Sequence, residues 1–346
     1  MAHGGDIYTN DIKMDFSVNV NPHGVPEGLR DIFSDIYSDF VLYPDYESTE
    51  LRRKLAEYYN LDINKVLCGN GASEIFMAIA HAIRPKKVLN ISPSFAGYVW
   101  AFEAIDTELI YYITDEKDGF LVKEDLLDIV EKRNDIDMII FANPSNPVGN
   151  YIDNDLIDNL LIKCREKEIV VIIDECFMEL SVVSHNKKTD MIMNFDNLFI
   201  VRAFTKTFAI PALRLGYVLG SNDNLMMKIR RQLPEWNVSL PAQKAGSMIL
   251  SMDLIDYLEE SVKIIKEELS FLSSEFRNLG IKTYQSFTNF ILIKTDIPLY
   301  DKLLDKGILI RDCSDFIGLK KGYYRIAVKS HKENIILIDT IKEIMR

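Results

Sequence analysis

The chain has 346 residues, 48% hydrophobic and 27% charged, the balance of an ordinary globular protein with room for one large domain and one smaller one. A formal net charge of -12 disfavours nonspecific binding to nucleic acid. Four cysteines, Cys68, Cys164, Cys176 and Cys313, stand far apart without a CxxC pair, which argues against a disulfide scaffold or a metal site and fits a reducing cytoplasm.

At the N-terminus, Met-Ala-His-Gly-Gly-Asp lacks a basic, apolar signal, and no apolar run approaches the length of a membrane span. Residues 1–35, with the turn-rich Asn21-Pro22-His23-Gly24, are expected to pack on the second domain or across the active site. Residues 65–68 read as a strand, followed by a Gly-rich turn and a helix over 73–83. The runs 88–91, 109–113, 138–142, 169–173, 198–201 and 217–219 are apolar and β-prone without polar alternation. Such runs suit buried strands of a mostly parallel sheet with helices on both faces, an α/β large domain over 36–240. After Pro241 a long helical stretch, 242–279, precedes strand candidates 290–294, 308–311 and 324–328 and a last helix. This predicts a smaller α+β domain over 241–346.

Four segments carry chemistry. In Phe204-Thr205-Lys206-Thr207-Phe208-Ala209-Ile210-Pro211, a lysine lies among apolar residues. A nucleophilic amine must be partly neutral, which requires a confined site near other cations, and Arg214 is one candidate. In Val170-Val171-Ile172-Ile173-Asp174, a carboxylate ends a buried strand, where open α/β sheets bind ligands. A buried Asp there would stabilise a protonated ring nitrogen of a cofactor; on its own the motif reads better as the cap of the next helix. Asn143-Pro144-Ser145-Asn146-Pro147-Val148-Gly149 is a rigid turn after a strand, able to present Asn146 to a ligand. Cys68-Gly69-Asn70-Gly71-Ala72-Ser73-Glu74 places glycines between strand and helix, where backbone N–H groups meet an anion. Glu74 stands where a dinucleotide fingerprint needs its last Gly, which counts against an NAD enzyme.

Together these motifs resemble the fold-type-I, pyridoxal-phosphate-dependent class I/II aminotransferases along nearly the whole chain. The resemblance implies a large domain with a mostly parallel seven-stranded sheet and a smaller α+β domain. It implies Lys206 as the Schiff-base lysine, Asp174 as the pyridinium partner and Asn146 at the ring hydroxyl. Gly71, Ala72, Ser73, Thr205 and Arg214 correspond to the phosphate cup, and Phe95 to the ring-stacking aromatic. Tyr43 corresponds to the tyrosine that reaches the neighbouring subunit's cofactor, which implies a homodimer. Arg325 corresponds to the arginine for the substrate carboxylate. Within the superfamily the chain is most similar to the threonine-phosphate decarboxylases of cobalamin biosynthesis. The similarity rests on His3-Gly4-Gly5, Asp15-Phe16-Ser17-Val18-Asn19-Val20-Asn21-Pro22, Ile310-Arg311-Asp312-Cys313-Ser314 and 322–330, and on Phe177 where histidinol-phosphate aminotransferases carry Tyr. It implies a phosphorylated amino-acid substrate, with Arg311, His3 and Asn19 as candidates for its phosphate. Histidinol-phosphate aminotransferase is the alternative, and a noncatalytic binder of pyridoxal phosphate ranks lower. Two departures from the family pattern are Ala203, for the usual Ser or Thr, and Val148, for the usual Thr.

Overall fold

Seven apolar runs condense into one sheet. In a computed structural model, which describes residues 4–30, 36–182 and 188–346, they are β2 (Val66–Gly69), β3 (Lys87–Ser92), β4 (Glu108–Ile113), β5 (Met138–Ala142), β6 (Val170–Asp174), β7 (Leu198–Ala203) and β8 (Gly216–Gly220). Their order is β2-β8-β7-β6-β5-β3-β4, and only β8 runs antiparallel to its neighbours. The absence of polar alternation has a simple cause: both faces are covered. Along β5, Met138 and Ile140 enter one apolar core while Ile139 and Phe141 enter the other.

Helices α1 (Thr49–Tyr59), α2 (Ala72–Ile83), α3 (Ala96–Glu103), α4 (Asp125–Lys132), α5 (Asn154–Glu166), the single turn α6 (Phe204–Thr207) and α7 (Asp223–Arg230) surround this sheet. Helix α5 starts where Asp153 accepts the Asp155 and Leu156 amides at 2.9 and 3.2 Å. Between β6 and β7 a buried ion pair crosses to the helices. Arg202 Nε and Nη2 donate to Glu175 Oε2 at 3.0 and 2.6 Å, and Nη1 donates to Glu179 and to the Tyr59 hydroxyl.

The helical stretch expected over 242–279 is two helices, α8 (Leu240–Ile249) and α9 (Ile255–Asn278). Asp253 Oδ1 accepts the Ile255 amide at 3.1 Å, a local bond that competes with a continuous helix. Ala242, Ala245 and Ile249 of α8 belong to the core of the large sheet. The second layer holds β9 (Lys282–Thr283), β10 (Phe290–Lys294), β12 (Arg311–Asp312) and β13 (Tyr323–Ala327), an antiparallel sheet of order β12-β13-β10-β9. Helices α9, α10 (Leu299–Leu304) and α11 (His331–Met345) supply its core residues Leu272, Phe276, Leu303 and Leu337.

The run expected as one strand over 308–311 divides at Ile310. Its first half, β11 (Ile308–Leu309), pairs in parallel with β1 (Met14–Asp15), and its second half, β12, pairs with β13. The N-terminal segment is thereby laid along the small sheet. Phe16 is fully buried in that core, and the Phe16 carbonyl accepts the Ala327 amide at 2.9 Å. Among the described residues no helix is long and apolar enough to cross a membrane.

Candidate active site

The C-terminal edges of β5, β6 and β7 face the small sheet across a cavity of about 220 Å³. Its walls include Ala72, Ser73, Phe95, Asn146, Asp174, Thr205, Lys206 and Arg214 from the large sheet and its loops. Gly4, Asn19, Arg311 and Arg325 close it from the other side. The sheet register explains the central pair: Asp174, the last residue of β6, is aligned with Val201 of β7, and Lys206 follows five residues on in α6.

Asp174 is buried. Its Oδ2 accepts the Tyr98 hydroxyl at 2.6 Å and its Oδ1 accepts the Cys176 amide at 2.9 Å. Burial raises its pKa despite these bonds, the condition of a carboxylate without a counterion. Lys206 shows the converse. Burial, then the positive charges of Arg325 and Arg214, bring its amine down to about 8, and no carboxylate pairs with it among the described residues. Asn146 accepts Arg325 Nη1 on Oδ1 at 2.5 Å, which leaves Nδ2 available to a ligand.

At the start of α2, Gly71 has φ +82° and no side chain caps the helix, so the first amides stay open. A Cβ on Gly71 would lie 2.5 Å from Arg214 Nη2, so the guanidinium lies directly against this helix end. Ser73 and Thr205 add hydroxyls, and the whole suits an anion. Phe95 packs edge-on against Tyr98 with centroids 5.6 Å apart.

Two arginines stand opposite each other on adjacent strands, Arg311 on β12 and Arg325 on β13. Arg325 Nη2 donates to the Ser17 carbonyl at 2.9 Å, and Asn19, amide oxygen inward, accepts from its Nη1 and Nε at 3.2 and 3.1 Å. Burial lowers Arg325 to about 10. Arg311 Nη2 is held by Asp315 at 2.9 and 3.0 Å.

A family model described as "Aminotransferase class I and II" matches residues 11–341. This chain belongs to the class I and II aminotransferases. It is 34% identical to a protein of Caldanaerobacter subterraneus subsp. tengcongensis provisionally named threonine-phosphate decarboxylase, covering 98% of this chain and 93% of that one. Among solved structures it is similar to histidinol-phosphate aminotransferase from Clostridium acetobutylicum, with TM-score 0.88, 30% identity and coverage of 96% and 99%. It is also similar to L-threonine-O-3-phosphate decarboxylase from Porphyromonas gingivalis, with TM-score 0.83, 25% identity and coverage of 95% and 98%.

The cofactor of this aminotransferase family is pyridoxal phosphate, and the cavity fits it. A protonated ring nitrogen is the counterion that buried Asp174 lacks, the open end of α2 suits a phosphate, and Lys206 is a partly neutral amine. Ala203 lines the cavity without a hydroxyl. Val148 is buried among Phe120, Tyr284 and Leu292, so its methyl groups fill the seam between the layers.

Not every expected residue lies at the cavity. Tyr43, expected to reach the neighbouring subunit's cofactor and not this cavity, is 79% exposed and packs on Trp236 with centroids 5.1 Å apart. His3 lies outside the described residues. Tyr98 and Phe316 were missed. Tyr98 sits in an apolar helix and Phe316 in a loop, and only the position of Tyr98 three residues after Phe95 offers a signal.

Proposed function

We propose that this enzyme decarboxylates L-threonine O-3-phosphate to (R)-1-aminopropan-2-yl phosphate. The observation that carries the reading is the facing pair Arg311 and Arg325 at one cavity wall. Two fixed cations suit a substrate with two anionic groups, and this substrate has a carboxylate and a phosphate. Phe177 supports the same reading: it lines the cavity edge-on to Phe290 and offers no hydroxyl, as in the decarboxylases the chain resembles.

When bound, pyridoxal phosphate withdraws electrons from the bonds at the substrate α-carbon. Lys206 would be the covalent anchor for that cofactor, and its amine would then give or take the proton at the α-carbon. Asp174, supported by Tyr98 and the Cys176 amide, stays ionised against the ring nitrogen. Asn146 Nδ2 would donate to the ring oxygen. Gly71, Ala72, Ser73, Thr205 and Arg214 would hold the cofactor phosphate, and Phe95 would cover the ring. Arg325 would grip the substrate carboxylate and so set which α-carbon bond is presented for cleavage, the choice that separates carbon dioxide loss from proton loss. Arg311 and Asn19 hold the substrate phosphate, with His3 assigned to the same group.

We also infer a homodimer in which Tyr43 serves the partner's site. Tyr37, Phe40, Val41, Leu42 and Tyr43 form an exposed apolar stretch that supports this pairing.

The test incubates enzyme, pyridoxal phosphate and threonine phosphate without any keto acid. Carbon dioxide and the amine should form catalytically, and Lys206→Ala should abolish both turnover and the borohydride-trapped lysyl adduct. Turnover that requires 2-oxoglutarate and prefers histidinol phosphate would overturn the reading in favour of transamination.

A further inference from the structure

One carboxylate outside the cavity gathers the two layers. Glu116 stands in the short turn Glu116–Asp118 after β4. Its Oε1 accepts from Lys282 Nζ at 2.8 Å, Lys294 Nζ at 2.9 Å and the Tyr284 hydroxyl at 2.5 Å. Its Oε2 accepts from Lys294 Nζ at 2.8 Å and the Tyr323 hydroxyl at 2.6 Å. All four donors come from the small sheet or its edge, and Lys282, then Lys294, hold the carboxyl well below the usual carboxylate range. Lys282 and Lys294 are also directly opposed across β9 and β10, where two like charges would repel without the carboxylate between them.

The same turn reaches the cofactor site. Phe120 packs edge-on against Tyr284 and Tyr323, with centroids 5.1 and 6.1 Å apart. Asn150 Nδ2 donates to the carbonyls of Gly119 and Phe120 at 3.2 and 2.9 Å, and the Asn150 carbonyl accepts the Ser145 amide at 2.8 Å. The 116–120 turn is thus joined on one side to β10 and β13 and on the other to the turn that carries Asn146. The two paths meet where Arg325 Nη1 donates to Asn146 Oδ1. Tyr323 and Arg325 lie two residues apart on β13, on one face of the strand.

We propose that Glu116 is a positioning residue for substrate binding: it sets the small sheet against the Asn146 turn and so aims Arg325 at the substrate carboxylate. The proposal rests on the role given to Arg325 above. Glu116 itself touches no substrate.

The holoenzyme variants Glu116→Gln, Tyr323→Phe and Arg325→Lys, and the double variant Glu116→Gln/Arg325→Lys, separate the possibilities. The measured quantity is KM for threonine phosphate, or for 2-oxoglutarate if the enzyme transaminates, since both carry the carboxylate. Glu116→Gln should raise KM on the order of tenfold and leave kcat within about twofold, because only the aim of the carboxylate anchor changes. Tyr323→Phe should act in the same direction and less, and the visible absorbance and affinity of the cofactor should stay as in the parent. In the double variant, KM should be no higher than in Arg325→Lys alone. Multiplying effects on KM, or no change in Glu116→Gln and Tyr323→Phe while Arg325→Lys raises KM, would overturn the proposal and leave the Arg325 reading standing. Equal losses of kcat and cofactor affinity would make Glu116 merely structural. An unchanged KM in Arg325→Lys would sink the Arg325 reading, and this inference with it.

Discussion

The ammonium form of Lys206 is disfavoured first by burial and then by Arg325 and Arg214, which lowers its pKa from 10.5 to about 8. A lowered lysine pKa means that the cation is lost earlier as pH rises. In the cofactor-free protein, acylation of Lys206 should therefore reach half its maximal rate near pH 8, measured by peptide mapping across a pH series. Arg325→Gln removes one repelling cation, so the midpoint should move upward; a midpoint unmoved or lowered would mean that the guanidinium is not felt at the amine. Lys206 and Asp174 stand out in the sequence because one lies among apolar residues and the other ends an apolar run, and a charged group in such a place needs a reason. Tyr98 was not legible, because its polar atom matters only through the strand that brings Asp174 to it. The Arg202–Glu175 pair was equally hidden, since β6 and β7 become neighbours only in the sheet.

Among the elements, β8 and α2 meet backbone to backbone. A Cβ on Gly216 would lie 2.8 Å from both the Ala72 nitrogen and the Gly71 carbonyl carbon, backbone that cannot yield without moving the start of α2. Gly216→Ala should weaken pyridoxal phosphate binding by at least about tenfold, read by titrating cofactor fluorescence, while the far-ultraviolet circular dichroism holds. Unchanged affinity would show that the helix end tolerates displacement. The strands of the large sheet were readable as uniformly apolar runs because both faces are covered. The small layer was harder to read. Residues 308–311 look continuous, yet they serve two partners, and β1 has only two residues with which to announce a strand. The break between α8 and α9 leaves no Pro or Gly in the sequence, only an Asp253 side chain that turns back onto the backbone.

For the whole molecule, the exposed stretch from Tyr37 to Tyr43 predicts association. Sedimentation at assay concentration should give twice the 39.8 kDa chain mass, and a fully active monomer would refute the dimer. Mixing Tyr43→Phe subunits with an inactive Lys206→Ala chain would then place the cofactor defect in the opposite subunit's site. In the cavity, Arg325 already has neutral acceptors, the Ser17 carbonyl and the amides of Asn19 and Asn146. In the role proposed for Arg325, a substrate carboxylate would enter by exchange: it would replace neutral acceptors with a charged one, which strengthens the bonds without leaving the guanidinium bare at any stage. The proposed product has lost that carboxylate. Once carbon dioxide departs, the guanidinium would return to its protein acceptors, so the chemical step itself would give up one of the contacts that held the substrate.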